Sequence, residues 1–393
     1  MPNNYYGGIV PRVLKFLTNG CELSDYEETV KITANMVTIA RIVLMPIPGY
    51  LLYQGIPELY IALVSIILLG ITDWIDGRMA RRDGPTVLGG LLDPIADKIF
   101  IAVCFIPFAE RILPGTAMVV FPVWLLIPVF CRDFLVTSLR TSLSLREAPM
   151  RTSTLAKFKT AIQMTAVGYL LAIVIGAMHS PENMGPFYLF AGAAAVPVLY
   201  ILYKWLIIKK KPGLRSGTMA GLMTFFAVFH YLVGTKWSIV FLVYSVTALT
   251  IFSGFSYLAD AWAALKGKPG GVKEAGRFIL EGILVPTAFL LPIGMYKTMG
   301  MSSLIILAIT FELATGGLAN LLASRKIQLR FRWMALKSIL EVILAGGAFI
   351  VGKLQLVQSF PLGELLLSLA VMVSFVNGVL SFGRHRTVYL GAL

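Results

Sequence analysis

Apolar residues fall in long runs along this chain, broken by short polar stretches, and that alternation predicts its elements. The runs are Met36–Gln54, Glu58–Ile75, Asp93–Phe108, Met118–Val136, a fifth ending at Met178, Phe187–Ile208, Met219–Val233, Ser238–Trp262, Phe278–Met295, Ser302–Ala323, Trp333–Val351 and Leu362–Phe382. Most approach the roughly 20 residues that a helix needs to cross a bilayer; the run at 219–233 is the shortest. The pattern predicts an all-α polytopic membrane protein of about 12 transmembrane helices. Before the first run, residues 1–35 are polar and mixed, with Pro11–Leu17 as a short interfacial helix. A Gly- and Pro-containing linker, Leu265–Lys273, separates a first membrane domain, 36–265, from a C-terminal four-helix membrane domain, 277–393.

Composition agrees with this reading and narrows it. The 393 residues are 57% hydrophobic and only 14% charged, more apolar surface than any soluble core needs. The formal net charge is +14. With the N-terminus inside, the basic loops at 209–215, 266–277, 325–332 and 384–386 all fall on the cytoplasmic side, as anionic leaflets favour. The opposite loops carry few bases, such as Lys236, Lys297 and Lys353. No soluble basic face of any size exists, which excludes nucleic acid as a partner. Cys21, Cys104 and Cys131 are scattered, and the last two lie in apolar runs, so they read as small core residues. No apolar core follows a basic start before residue 36, so no secretory signal is expected.

Chemistry concentrates between the second and third runs. Asp73 and Asp76 share one helix face, and Asp93 and Asp97 share another. Four carboxylates at the ends of apolar segments repel one another and need neutralising. Oxygen-only ligands favour a hard cation, Mg²⁺ or Mn²⁺, and two such ions suit transfer of a phosphoryl group. Gly77 and Ala80 leave room for a ligand to approach the backbone, and Arg81 and Arg82 supply charge for phosphates. Arg41, one turn inside the first run, needs a partner: headgroups, the carboxylates or a phosphate.

Asp73, Asp76, Gly77, Ala80, Arg81, Gly89, Asp93 and Asp97 resemble the signature of the CDP-alcohol phosphotransferase family, D-x2-D-G-x2-A-R-x8-G-x3-D-x3-D. Seven residues rather than eight separate Arg81 from Gly89, which shortens the loop between the two helices by one. The resemblance covers about residues 30–178 and 238–262 and implies a six-helix catalytic core, here with two inserted helices at about 187–235. It further implies two Mg²⁺ or Mn²⁺ ions on Asp73, Asp76, Asp93 and Asp97, with Asp97 also the general base. The CDP group would meet Asn35, Thr38, Gly77, Ala80, Arg81 and Thr86.

Arg132-Asp133 with Arg140, followed by Lys157-x-Lys159-Thr-x2-Gln163-Met, resembles the phosphatidylglycerophosphate synthases of that family. That likeness implies transfer from CDP-diacylglycerol to glycerol 3-phosphate, whose phosphate Arg41, Arg132, Arg140, Lys157 and Lys159 would hold. It also implies a homodimer among membrane lipids, in a bacterial cytoplasmic membrane, with the N-terminus and active site on the cytoplasmic side. Other acceptors (inositol phosphate, serine, phosphatidylglycerol) stay open, as does a non-catalytic transporter or scaffold that keeps a vestigial site. The second half can be set against the first as a degenerate copy, Glu281–Pro286 on Arg41–Pro46 and Glu312–Asn320 on Asp73–Arg81, with the aspartates lost. Intramembrane Glu281, Glu312 and Glu341 require partners, whereas the lone His230 reads as a core residue.

Overall fold

The computed structural model describes residues 33–84, 86–146, 154–179, 185–209, 214–265, 271–296, 299–327, 331–354 and 361–390. Pro11–Leu17, Cys21 and parts of the basic loops lie outside the described residues. In chain order the helices are α1 Ala34–Leu44, α2 Pro46–Leu51, α3 Ile56–Asp83, α4 Val87–Glu110, α5 Val123–Leu145, α6 Thr154–His179, α7 Gly185–Leu206 and α8 Leu214–Leu265. The second half follows with α9 Gly271–Ile279, a π turn at Leu280–Leu284, α10 Val285–Leu290, α11 Met299–Ser324, α12 Phe331–Leu354, α13 Leu362–Arg384 and α14 Arg386–Leu390. Among the described residues no strand occurs, only one isolated bridge between Ile112 and Val119, and the protein is an all-α polytopic membrane protein.

Among the described residues 7 helical stretches are long and apolar enough to span a bilayer. One of them, Gly221–Ala259, holds two of the expected spans. The helix breaks within it at Gly234, whose φ of 77° only glycine adopts without strain. The two arms fold back on each other: the rings of Phe229 and Phe241 meet at a tilt with centroids 4.6 Å apart although they are twelve residues apart in sequence. In a continuous helix the same separation would span about 18 Å. The expected span at 278–295 is helical only to Leu290 and carries a π turn between α9 and α10.

Helix ends depart from the apolar runs near the motif. α3 does not stop at Ile75 but continues to Asp83, and α4 begins at Val87, not at Asp93. Both pairs of aspartates therefore lie within helices rather than at their tips. α5 starts at Val123, later than Met118, and runs on to Leu145, so Arg140 is helical. Polar residues continue these helices because propensity and caps, not apolarity, decide where they end. Gly84, with φ of 94°, closes α3, and the Thr86 hydroxyl caps α4 by accepting from Gly89 N at 2.9 Å. Such a cap is worth about 1 kcal/mol.

The middle of α4, from Ile99 to Ala109, is buried on every face, which marks it as the centre of the bundle. α1 packs against both α3 and α4. On the other side α11, from the second half, packs against both α4 and α5. Gly317 is the reason it comes so close, since a Cβ there would lie 2.7 Å from Ile95 Cδ1, and one at Gly316 would lie 3.0 Å from Thr137. Asn320 and Ser144 hydrogen-bond across the same seam at 3.2 Å. Both halves thus share one continuous core, and Thr33–Leu393 forms one compact unit.

The buried charges of the second half find partners within the bundle. Glu281 accepts from Arg277 at 2.8 Å and from the Ser138 hydroxyl of α5 at 3.4 Å. Lys337 lies 2.5 Å from Glu312 and 3.1 Å from Glu341, and the Ser374 hydroxyl donates to Glu341 at 2.7 Å. His230 meets the Tyr169 hydroxyl at 2.9 Å inside the core.

Candidate active site

α1 joins the two aspartate helices. The hydroxyl of Thr38 lies 2.9 Å from Asp76 Oδ2 on α3 and 3.2 Å from Asp93 Oδ1 on α4, so one side chain reaches carboxylates of both pairs. One turn further along α1, the buried guanidinium of Arg41 is bonded to Asp73. Its other contacts are Asp76 Oδ2 at 3.5 Å and Asp97 Oδ1 at 3.9 Å. All four aspartates therefore gather about Thr38 and Arg41. Asp73 and Asp97 keep about half of their side-chain surface open, 49% and 46%, while Asp76 is buried at 5%.

Of the partners open to Arg41 from the sequence, the structure shows the carboxylates, and Thr38, expected at the CDP group, also touches them. Arg41 Nε and Nη2 are buried without a hydrogen-bond partner among the described residues. One guanidinium facing four carboxylates leaves an excess of negative charge, and the donors are all hard oxygens, the chemistry of a Mg²⁺ or Mn²⁺ site. No preformed group of three or more acidic, His or Cys side chains in ion-holding geometry occurs among the described residues.

The remaining motif residues surround this cluster. Thr86 donates to Asn35 Oδ1 at 2.9 Å, tying the start of α4 to the start of α1. A Cβ at Gly89 would lie 2.9 Å from both Asn35 Oδ1 and Thr86 Oγ1, which is the physical reason for glycine there. Around Gly77 there is open space, with only Arg81 Nη1 within 4 Å of where a Cβ would stand. Ala80 is half-buried and Arg81 exposed.

A second cluster lies on α5 and α6. Asp133 is buried and both of its oxygens accept from Lys159 Nζ, at 2.6 and 2.9 Å. Arg132 donates to the same carboxylate at 2.8 Å, and its guanidinium lies 5.2 Å over the ring of Tyr257 on α8. Gln163, in the same motif as Lys159, donates to Thr250 at 3.3 Å and so fixes α6 against α8. Arg140 is half-buried on the same helix, and the side chain of Lys157 lies outside the described residues. Two participants were missed in the sequence. Lys98, bonded to Thr137 of α5, follows Asp97 directly, yet a single lysine gives no periodic signal. Tyr257 was legible only as part of a helix, because its partner Arg132 is more than a hundred residues away.

Comparison with known proteins places these features in a family. The family model described as CDP-alcohol phosphatidyltransferase matches residues 31–210. A Bacillus subtilis (strain 168) protein named CDP-diacylglycerol--glycerol-3-phosphate 3-phosphatidyltransferase is 32% identical over 151 residues, covering 35% of this chain and 75% of that relative. A Pseudomonas fluorescens protein of the same name is 34% identical over 146 residues, covering 35% and 71%. A Drosophila melanogaster protein named probable cardiolipin synthase (CMP-forming) is 29% identical over 214 residues, covering 48% and 64%. No solved structure matches. With the aspartate motif, the helical membrane fold and relatives matched over more than two thirds of their length, this chain belongs to the CDP-alcohol phosphatidyltransferase family and is an enzyme of that type.

Proposed function

We propose that the protein transfers the phosphatidyl group of CDP-diacylglycerol to glycerol 3-phosphate, releasing CMP. The observation that carries this reading is the pairing of two clusters, an acidic one about Thr38 and Arg41 and a basic one about Asp133. The first, with divalent cations on it, suits a diphosphate, and the second suits a phosphorylated acceptor.

Asp73, Asp76, Asp93 and Asp97 would hold two Mg²⁺ or Mn²⁺ ions, whose charge would offset that of the diphosphate and of the transition state. The open face of Gly77, with Arg81 beside it, receives the CDP group together with Asn35 and Thr86. Asp97, half open to solvent, takes the proton from the 1-hydroxyl of the acceptor. The freed oxygen forms a bond to the phosphorus that carries the diacylglycerol, the bond from that phosphorus to the CMP oxygen breaks, and CMP leaves. Arg132, Arg140, Lys157 and Lys159 draw in the acceptor phosphate. The proposed site faces the cytoplasm on a bacterial inner membrane, where a lipid donor and a water-soluble acceptor meet; the bias of basic residues toward one set of loops supports this orientation.

The test is CMP release from CDP-diacylglycerol by purified protein with Mg²⁺, offering glycerol 3-phosphate, inositol phosphate, serine and phosphatidylglycerol separately. Release with glycerol 3-phosphate alone, lost in Asp97→Asn, is the expected result. Release with phosphatidylglycerol alone would favour the chemistry named for the Drosophila relative and would discard this acceptor. Failure with all four acceptors, from folded protein, would return the scaffold reading.

A further inference from the structure

Lys159 and Arg132 bond the Asp133 carboxylate directly, and Lys98 of α4 reaches the same turn of α5 through Thr137. Lys159 is buried with both Asp133 oxygens on its ammonium. Arg132 donates to the same carboxylate beside the ring of Tyr257, and its Nε and Nη2 are buried without a hydrogen-bond partner among the described residues. Lys98 differs from both in having no carboxylate on its ammonium among the described residues. Its partner is the hydroxyl of Thr137, whose own proton goes to the Asp133 carbonyl at 2.7 Å. A hydrogen bond to a neutral hydroxyl is worth about 1 kcal/mol net and is easily exchanged for one to an anion.

Its place on the helix gives Lys98 a second property. Successive residues on a helix point about 100° apart, so Asp97 and Lys98 face different neighbours from one backbone position. Asp97 faces Arg41, 3.9 Å away, and Lys98 faces Thr137. The two clusters adjoin through α4, because Asp97 meets Arg41 while the next residue, Lys98, bonds Thr137, whose hydroxyl lies on the Asp133 carbonyl. A small acceptor with a phosphate at one end and a reacting hydroxyl at the other matches that arrangement.

We propose that Lys98 is the specificity-determining residue of the acceptor pocket, leaving Thr137 to bind the acceptor's phosphate monoester and thereby placing its hydroxyl at Asp97. This rests on the function proposed above. A monoester carries up to about two negative charges at neutral pH, whereas the diester of phosphatidylglycerol carries one. An extra cation with only a neutral resting partner therefore favours the monoester.

Full-length Lys98→Met, Lys98→Arg and Thr137→Val decide the matter, assayed for CMP release with Mg²⁺ while glycerol 3-phosphate and CDP-diacylglycerol are varied in turn. Lys98→Met is expected to raise KM for glycerol 3-phosphate about ten- to a hundredfold, with KM for CDP-diacylglycerol changed by no more than about twofold. Lys98→Arg restores most of the loss. Thr137→Val, which removes the resting partner but keeps the cation, leaves KM for glycerol 3-phosphate within about threefold. A fall in kcat at unchanged KM, or a Thr137→Val as damaging as Lys98→Met, would overturn the proposal and make Lys98 a tie between α4 and α5. Melting in detergent identifies a variant that does not fold, and in that case Lys98→Arg and Thr137→Val carry the decision. If the unaltered protein ignores glycerol 3-phosphate, the proposed function fails first; if it uses it and Lys98→Met does so equally well, only the role of Lys98 fails.

Discussion

Thr38 reaches Asp76 and Asp93 with one hydroxyl, so its removal reports directly on the acidic cluster. Thr38→Val keeps the shape and deletes the contact. It is expected to raise the Mg²⁺ concentration for half activity, or lower the rate, by about tenfold or more with melting nearly unchanged, the range seen when residues behind metal ligands are altered. A chelator is expected to abolish CMP release, and Mg²⁺ or Mn²⁺ to restore it. Gly89→Ala acts on the neighbouring tie. The new methyl would stand 2.9 Å from Asn35 Oδ1 and Thr86 Oγ1, neither of which has a long side chain to swing away. The expected result is about 1 kcal/mol of lost stability, from the helix cap, with a raised KM for CDP-diacylglycerol. The glycine was visible in the motif, but its reason was not, because Asn35 comes from another helix.

Where helices meet, the second half becomes part of the site's framework. α11 sits against the turn of α4 that carries Leu91 and Ile95, whose neighbours Asp93 and Asp97 face the other way, and against Thr137 of α5, which holds Lys98. Gly317→Leu forces a side chain into Ile95 and is expected to cost about 1–3 kcal/mol by overpacking. Adding Ile95→Ala returns the space, so the double variant is expected to melt higher and release CMP faster than Gly317→Leu alone. No recovery would mean that the contact does not set the position of α4. Such a seam is invisible to a reading of apolar runs, since two adjacent glycines in a membrane helix carry no mark of the surface they meet.

Among the described residues, buried charges find opposite partners separately in each region: Arg41 with the aspartates, Asp133 with its cations, and Lys337 between Glu312 and Glu341. The last set lies outside the proposed chemistry. Lys337→Met strands two buried carboxylates and is expected to lower stability by about 3–5 kcal/mol, read as a large drop in melting temperature. Substituting Glu312→Gln and Glu341→Gln together with Lys337→Met is expected to recover much of it, with KM for both substrates unaltered throughout.

Membrane class, the order of the helices and the aspartate motif followed from sequence alone, because a bilayer demands long apolar runs and carboxylates beside them are too costly to occur by chance. Helix ends did not follow, since α3 and α4 run on through polar residues that lie outside the apolar count. Nor did the place of Thr38 between Asp76 and Asp93, the choice of the aspartates among the partners open to Arg41, Lys98 on Thr137, Tyr257 under Arg132, or α11 against both site helices. Each of these joins segments that are distant in the chain. Local pattern records which residues face away from lipid, but only packing decides which of them face one another.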